Sequence, residues 1–314
     1  MLAIETADLH KRYRDIHALD GLTLSVEPGS VFGFLGPNGA GKTTTIRILA
    51  GLARPTSGRA TVAGLDVAAD RAQVARRIGH LPEEPAFYTW MTPPEFLDHV
   101  GRIFRLPSAE RSARARELLE LVGLAEARKR RIGGFSRGMR QRLGLAQALM
   151  NRPDVLFLDE PVSALDPTGR KEVLELIERL RERCTIFMST HILADVERVC
   201  DTVGIIARGR MVAIARQAEL LARYAVPAFE LACEPAEAAR LAEWARALEA
   251  EPWVQSVTPH NGAVRVVARD VAAAKARLLP AAVAAGLPLT RYEMVRPSLE
   301  DVFLRLVGPE GGAA

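Results

Sequence analysis

The sequence predicts an α/β domain followed by a smaller α+β domain, and three observations lead to this fold class. An apolar run at residues 31–35 ends at a glycine-rich loop, and a helical pattern follows the loop. Two further apolar runs, at residues 155–158 and 185–188, flank an amphipathic segment, as in alternating strands and helices. After residue 216 the pattern reads β-α-β-β-α-β, which is the order of a ferredoxin-like sandwich.

Composition places the chain among ordinary globular proteins. Of 314 residues, 48% are hydrophobic and 25% are charged, which excludes a disordered or collagen-like protein. The length fits two domains of roughly 150 residues each. The formal net charge of +4 is too small to indicate a nucleic-acid partner, so none is expected.

In the first domain, short apolar runs predict strands and amphipathic patterns predict helices. The predicted strands are residues 2–5, 22–26, 31–35, 155–158 and 185–188. The predicted helices are residues 43–52, most of 93–150, 170–183 and 192–200, and a hairpin over 203–214 closes the domain. Tyr13 falls in a charged turn between the first two strands.

The second domain is predicted from weaker, alanine-rich patterns. Its predicted strands are residues 229–232, 254–258, 263–268 and 287–294, and its helices are 236–250, 271–285 and a last one at 298–307. Asn261-Gly262 lies between the second and third strands, and this dipeptide is a strong hairpin signal.

The glycine-rich loop matches the phosphate-binding pattern G-x-x-x-x-G-K-[ST]. It reads Gly36-Pro37-Asn38-Gly39-Ala40-Gly41-Lys42-Thr43, and Thr44 follows as a further ATP-binding candidate. Glycines let successive N–H groups point at an anion at the start of the next helix. We expect Lys42 to reach the β- and γ-phosphates of ATP and Thr43 to ligate Mg²⁺. The strand before and the helix after disfavour the alternative, a turn that matches by chance.

A second motif, which is acidic, follows the apolar run at 155–158. Asp159 stands at the end of that strand, where its carboxylate suits Mg²⁺ directly or through water. Glu160 comes next and can take a proton from an attacking water as general base. The pair by itself would indicate only a solvated strand end, but a phosphate-binding loop upstream makes that alternative unfavourable.

With these motifs in place, the sequence resembles the nucleotide-binding subunit of an ATP-binding cassette (ABC) transporter. Phe135-Ser136-Arg137-Gly138-Met139 resembles the family signature, usually Leu-Ser-Gly-Gly-Gln. Ser163-Ala164-Leu165-Asp166 resembles the loop after the acidic strand (the D-loop), and His191 resembles the switch histidine. The order and spacing of these motifs cover residues 2–215.

The resemblance implies a P-loop ABC ATPase fold over residues 1–216, in which a mixed sheet with helices carries antiparallel β and helical subdomains. The helical subdomain would lie at about 93–150. Residues 217–314 would then form a C-terminal accessory or regulatory domain, with the small α+β fold described above.

The resemblance also implies the roles of the site residues. Lys42, Glu160 and His191 would be catalytic, with His191 hydrogen-bonded to the γ-phosphate. Ser136, Arg137, Gly138 and Met139 would contact the ATP held by a second subunit, so that a homodimer encloses two ATP molecules. Tyr13 would stack on adenine; the alternative is a surface tyrosine.

Three residues depart from the family pattern. Arg137 and Met139 replace Gly and Gln of the usual signature, and Glu83 stands where the family usually has Gln. A carboxylate can still bind Mg²⁺, so Glu83 joins Thr43 and Asp159 as a candidate metal ligand. The departures, with the ending at residues 297–304, resemble drug-exporter-like bacterial members.

The function implied is hydrolysis of ATP to ADP and phosphate that powers a separate membrane permease, for export. The sequence contains no run of about 20 apolar residues that could cross a bilayer. We therefore expect a cytoplasmic protein held on the inner face of the membrane by its permease. The alternative is a permease-free soluble ABC ATPase with a cytoplasmic partner. A P-loop kinase is disfavoured by Ser136 and His191.

The aromatic loop at 85–92 could hold a permease helix or could cover its own helical core.

Overall fold

The structure is a computed structural model that describes residues 1–163, 165–224, 227–260, 262–295 and 299–307. The chain divides into two compact units, Met1–Gln217 and a second unit that begins at Ala218. In the part of the chain that the structure describes, no helix is both long enough and apolar enough to cross a membrane.

The first unit contains helices and two kinds of sheet. Along the chain its elements are β1 (Ile4–Tyr13), β2 (Ile16–Val26), β3 (Val31–Leu35), α1 (Lys42–Leu49), β4 (Ser57–Val62), β5 (Leu65–Asp66), α2 (Arg71–Arg77), β6 (Ile78–Leu81), α3 (Pro93–Ile103), α4 (Ser108–Leu121), α5 (Arg137–Ala148), β7 (Val155–Asp159), α6 (Pro167–Leu180), β8 (Thr185–Thr190), α7 (Leu193–Val199), β9 (Thr202–Ala207) and β10 (Arg210–Arg216). The strands predicted at 31–35, 155–158 and 185–188 are confirmed.

A six-stranded sheet forms the centre of this unit, in the order β10-β9-β3-β8-β7-β6. Neighbouring strands are parallel except β10, which runs antiparallel to β9. Every residue of β3, β7 and β8 is buried, as expected of parallel strands covered on both faces. The carboxyl ends of these three strands meet at one edge, where loops can form a site.

A second, antiparallel sheet has the order β2-β1-β4-β5. The prediction of two short strands separated by a charged turn was wrong, because β1 continues to Tyr13 and β2 begins at Ile16. Register shifts along β1 interrupt the alternation of buried and exposed residues, which hides the strands from sequence patterns. Tyr13 is therefore the last residue of β1, and the turn consists of Arg14 and Asp15.

Helix α6 differs from its predicted bounds, and residues 53–92 contain elements that were not predicted. Helix α6 begins at Pro167 and not at residue 170, because proline suits the first helical turn; Asp166 precedes it in an extended conformation, at the N-cap position. Strands β4 to β6 and helix α2 lie within residues 53–92, where no element was predicted. Of these, β6 is the edge strand of the central sheet, and Glu83 follows it.

The second unit is a small α+β sandwich. Helix α8 (Gln217–Tyr224) spans the boundary, and the unit continues with β11 (Ala228–Cys233), α9 (Ala238–Ala247), β12 (Val254–His260), β13 (Ala263–Ala268), α10 (Val271–Ala284), β14 (Leu289–Val295) and α11 (Leu299–Val307). Its sheet has the order β12-β13-β11-β14 with all neighbours antiparallel. This is the split β-α-β arrangement of the ferredoxin-like fold, which confirms the prediction.

The hydrophobic core of the second unit lies between the sheet and its helices. Phe229 and Leu231 of β11 pack in one cluster with Leu241 of α9 and Leu278 of α10. The predicted turn is described only at Gly262, which has a φ of 77°; Asn261 and Ser298, the predicted start of the last helix, lie outside the described residues.

Candidate active site

The glycine-rich loop connects the carboxyl end of β3 to the first turn of α1. A Cβ atom on Gly36 would lie 2.5 Å from the carbonyl oxygen of Ile206, and one on Gly41 would lie 2.7 Å from that of Ala18. Gly41 also has a φ of 111°, which side-chain-bearing residues rarely adopt. These two positions therefore require glycine, and the loop turns tightly into the start of the helix.

Lys42, the first residue of α1, is buried at the end of this loop, although its side chain is charged. Its Nζ donates to the carbonyl oxygen of Gly36 at 2.8 Å and to that of Pro37 at 3.4 Å. The same Nζ lies 3.4 Å from Oε1 of Glu160. The ammonium is thus held between the loop and the acidic strand end, where the phosphates of a nucleotide would lie.

Asp159 ends β7 and directly faces Ser189 of the neighbouring strand β8. The Ser189 hydroxyl donates to Oδ1 of Asp159 at 2.6 Å, and the Thr43 hydroxyl donates to the same oxygen at 3.3 Å. One carboxylate oxygen therefore joins the acidic strand to the phosphate-binding loop. Ser189 was not predicted from the sequence, since only the strand register places it beside Asp159.

Glu160 has a φ of 47°, a left-handed conformation that is uncommon for residues other than glycine. Its N–H donates to the carbonyl oxygen of Ser189 at 3.1 Å, which holds this backbone in place. Its Oε2 lies 2.9 Å from Nδ1 of His191, a half-exposed residue just after β8. The strained backbone and the imidazole together fix a buried carboxylate beside the loop, as a general base requires.

A cavity of about 300 Å³ opens at this edge of the sheet. Besides the loop, its lining includes Glu83, Glu160 and His191 and also Ile16 and His17 of β2, which sequence analysis missed. The predicted adenine platform, Tyr13, is not among the lining residues; the Lys11 ammonium lies 4.6 Å from the centre of its ring. Ile16 and His17 become candidates only once the β1–β2 hairpin is known.

The signature residues lie away from this cavity. Ser136 is the N-cap of α5, and its hydroxyl accepts from the N–H of Met139 at 3.2 Å. Arg137 lines a second cavity of about 290 Å³ together with Glu83 and Glu84. The structure therefore does not bring Ser136, Arg137, Gly138 and Met139 to the chain's own phosphate-binding loop, and Glu83 lies between the two cavities.

The loop after β7 is tied back to Glu160. The Ser163 hydroxyl donates to the carbonyl oxygen of Glu160 at 3.0 Å, and the N–H of Leu165 donates to that of Val162 at 3.3 Å. Asp166 then caps α6. Ala164, the remaining residue of the predicted D-loop, lies outside the described residues.

An ion pair joins α6 to α7, the helix that follows His191. Arg170 contacts Oδ1 of Asp195 at 2.7 Å through both Nε and Nη2. Asp195 is 1% exposed; burial raises the pKa of its carboxyl, and Arg170 acts in the opposite direction. The pair fixes the start of α7 against α6, and so restricts where His191 can lie.

Comparison with known proteins identifies the two parts of the chain. Residues 19–163 match the family model described as ABC transporter, and residues 218–307 match that of the ATP-binding protein DrrA1-3-like C-terminal domain. The chain is 43% identical to the uncharacterized ABC transporter ATP-binding protein YxlF of Bacillus subtilis, over 98% of this chain and 99% of that protein.

Two further matches agree with this result. The daunorubicin resistance ATP-binding protein DrrA2 of Streptomyces coeruleorubidus is 38% identical, over 98% of this chain and 95% of that one. A solved structure of an ATP-binding subunit of an ABC transporter superposes with a TM-score of 0.65 at 31% identity, and it covers 71% of this chain and 93% of its own. The chain belongs to the ABC transporter family, as one of its ATP-binding ATPase proteins.

Proposed function

We propose that this protein hydrolyses ATP as the engine of an exporter, through ATP-driven closure of a homodimer that moves a separate membrane permease. The observation that carries the proposal is the convergence of Lys42, Glu160 and His191 on one cavity at the carboxyl edge of the central sheet. Asp159 lies just behind that cavity and accepts a hydrogen bond from Thr43, which lines it. Residues 1–216 would perform the nucleotide chemistry, and residues 217–314 would be an accessory domain.

The loop from Gly36 to Thr43 would bind the phosphates of ATP through its N–H groups, with Thr44 in the first turn of α1. Pro37 has no N–H, and the N–H of Ala40 donates to the carbonyl oxygen of Pro37 at 3.2 Å, so the N–H groups of Asn38 and Gly39 are candidate donors. Tyr13, or Ile16 and His17 nearer the cavity, would contact the base. The hairpin turn between them brings all three to the same end of the sheet.

The donor set suits Mg²⁺. The Thr43 hydroxyl and the Asp159 carboxylate share one hydrogen bond, and Glu83 lines the same cavity. These are oxygen ligands, which Mg²⁺ prefers, and it usually completes its shell with phosphates and water. When bound, Mg²⁺ would neutralise charge on the β- and γ-phosphates.

Glu160 would accept the proton of the attacking water, because its buried carboxylate already faces the loop. His191 contacts that carboxylate through Nδ1 and would donate a hydrogen bond to the γ-phosphate from its other nitrogen; both ring nitrogens donate at once only in the imidazolium form. Lys42 would stabilise the negative charge that develops on the transferred phosphoryl group. Lys42 lies within ion-pair distance of Glu160, and Glu160 lies within hydrogen-bond distance of His191, which supports these roles.

A second copy would complete each site. The N-terminus of α5, with Ser136 as its cap and Arg137 and Gly138 next, is a site that favours an anion, yet it lies away from the chain's own cavity. We propose that it contacts the γ-phosphate held by the partner subunit. Ser136→Arg should then block ATP-dependent dimerisation, measured by size-exclusion chromatography, while monomeric ATP binding persists.

Two observations support a permease partner and export. Tyr88 and Trp90 precede α3 and remain 43% and 63% exposed, although Tyr88 also packs against Phe96 and His99. Such aromatic side chains are typical of contact surfaces between proteins. The relatives include a protein named for daunorubicin resistance, which favours export and a position on the inner face of the membrane.

The proposal is tested by capturing partners of tagged Glu160→Gln protein from native membranes with Mg-ATP, followed by mass spectrometry. A polytopic membrane protein in stoichiometric yield is the expected result, and it should be lost in Trp90→Ala, which keeps ATP binding. Recovery of soluble chains alone would contradict the permease and would favour the permease-free ATPase.

A further inference from the structure

The two edges of the sheet in the second unit differ in their ability to pair with another strand. Strand β12 carries Pro259, which has no N–H and blunts an edge against pairing. Strand β14, at the other edge, carries no proline, and four of its residues are exposed: Thr290, Arg291, Glu293 and Met294. Met294 is 50% exposed although it is apolar. The edge at β14 is thus open to a further strand.

The side chains of β14 are self-complementary in charge. Arg291 and Glu293 flank Tyr292, and alternate residues of a strand lie on one face of its sheet. If a second copy is rotated by a two-fold axis through Tyr292, its β14 runs antiparallel. Arg291 of each copy then lies directly opposite Glu293 of the other copy, so that two such pairs flank Tyr292.

Glu293 has an unfavourable position within its own chain. The register sets it directly opposite Glu230 of β11, and like charges in that arrangement destabilise a sheet. Glu230 is 8% exposed and holds Arg291 at 2.7 Å, whereas Glu293 forms no ion pair within the described residues. The Arg291 side chain is 47% exposed and has five N–H donors, so it can bind a second carboxylate.

We propose that β14 pairs with β14 of a second copy around Tyr292, so that the second unit is a dimer contact. The pairing would join the sheets of the two copies into one. Thr290 would lie opposite the partner's Met294, on the sheet face that does not carry Arg291 and Glu293. A shift in register beside Thr290 falls at the end of the pairing and leaves Arg291–Val295 regular.

This inference rests on the ATP-dependent homodimer of the proposed function. A pair of seven-residue strands is much smaller than a stable interface, which buries about 1,200 Å² or more. The strands would therefore pair only when ATP already holds the two copies together, at an effective concentration of about a millimolar. The contact would add to the stability of the closed dimer and would not form one by itself.

The test uses the full-length Glu160→Gln chain with Tyr292→Cys added. Directly opposed residues have Cβ atoms about 5 Å apart, within reach of a disulfide on mild oxidation. We expect a covalent dimer with Mg-ATP and little without it. Gln255→Cys, exposed on the β12 edge, is the matched control and should not cross-link. The native cysteines Cys184, Cys200 and Cys233 are buried, so the background should be low.

Size-exclusion chromatography of the same samples separates the two claims. A Mg-ATP dimer that forms without cross-linking at position 292 would overturn the strand pairing alone, as would equal cross-linking of Gln255→Cys. Absence of any Mg-ATP dimer would contradict the proposed function, and the strand pairing with it. If Tyr292→Cys unfolds the unit by circular dichroism, the double variant Thr290→Cys/Met294→Cys tests the same register.

A charge exchange sharpens the assignment. Glu293→Arg in the Tyr292→Cys background should slow cross-linking about tenfold, because two arginines then face each other in the pair. Adding Arg291→Glu should restore the rate to within about twofold. The arginine introduced at position 293 stands directly opposite Glu230, so that carboxylate keeps a cationic neighbour. No loss on the first change, or no recovery on the second, would overturn the proposed register.

Discussion

The two units of the chain bury charged side chains in different settings. In the first unit Lys42, Asp159 and Glu160 are buried where strand ends and a glycine-rich loop converge on a cavity. In the second unit Glu230 and Arg265 are buried in the middle of neighbouring antiparallel strands and are partners in the register. Charges that converge on a cavity can act on a ligand, whereas charges paired along strands contribute to stability and strand register.

This difference has a measurable consequence. Substitutions of Lys42, Asp159 or Glu160 should change ATP turnover more than the free energy of unfolding. If the first unit carries all of the nucleotide chemistry, substitutions in the second unit should change the free energy of unfolding more than ATP turnover. The effect on ATP turnover ranks the following predictions.

Lys42→Ala should have the largest effect. The change removes the only buried ammonium beside the phosphate-binding loop among the described residues, so nucleotide binding should weaken and phosphate release should fall to background. Lys171→Ala, an exposed lysine on α6, is the matched control. Calorimetric titration with ATP and a phosphate-release assay measure both effects; undiminished turnover in Lys42→Ala would contradict the site.

Asp195→Asn should have an intermediate effect. It weakens the ion pair to Arg170 and loosens α7, so His191 is held less well against Glu160. We expect kcat to fall roughly tenfold with KM nearly unchanged, and the free energy of unfolding to fall by about 1–3 kcal/mol.

Glu175→Gln is the control for Asp195→Asn, because Glu175 of α6 also pairs with an arginine of α7, Arg198, but does so at the surface. Its stability should change by no more than about 0.5 kcal/mol. If the two variants behave alike, the buried pair of Asp195 with Arg170 does not position His191.

Leu231→Ala should have the smallest effect on turnover. Leu231 is fully buried in the core of the second unit, so its truncation should lower the free energy of unfolding of that unit by about 2–5 kcal/mol. Leu180→Ala, equally buried in α6, should instead destabilise the first unit. Differential scanning calorimetry and an ATPase assay distinguish the two variants. Equal loss of ATPase activity in both would contradict the proposal that the first unit alone carries the nucleotide chemistry.

The two units also differ in what the sequence could predict. In the first unit the phosphate-binding loop and the Asp159-Glu160 pair were predicted because each is a local pattern with a chemical reason. Ser189 was missed because it meets Asp159 only through the register of β7 and β8. Ile16 and His17 were missed for the same reason, since a hairpin with register shifts brings them to the cavity.

In the second unit the opposite holds. Its topology was predicted, because the alternation within β11 and β13 and the Asn261-Gly262 dipeptide are local signals of strands and a turn. Its binding properties were not predicted, because the unpaired edge at β14 exists only once the order of the strands is known. Local patterns therefore predicted chemistry in one unit and fold in the other.

Glu160→Gln decides whether Glu160 is the general base of the ATPase site. We expect hydrolysis of Mg-ATP to slow by roughly 100-fold or more, while ATP binding is kept and the Mg-ATP dimer accumulates. Glu84→Gln, an exposed neighbour of Glu83 outside the phosphate-binding cavity, should hydrolyse ATP at the normal rate. Normal hydrolysis by Glu160→Gln would show that Glu160 is not the general base.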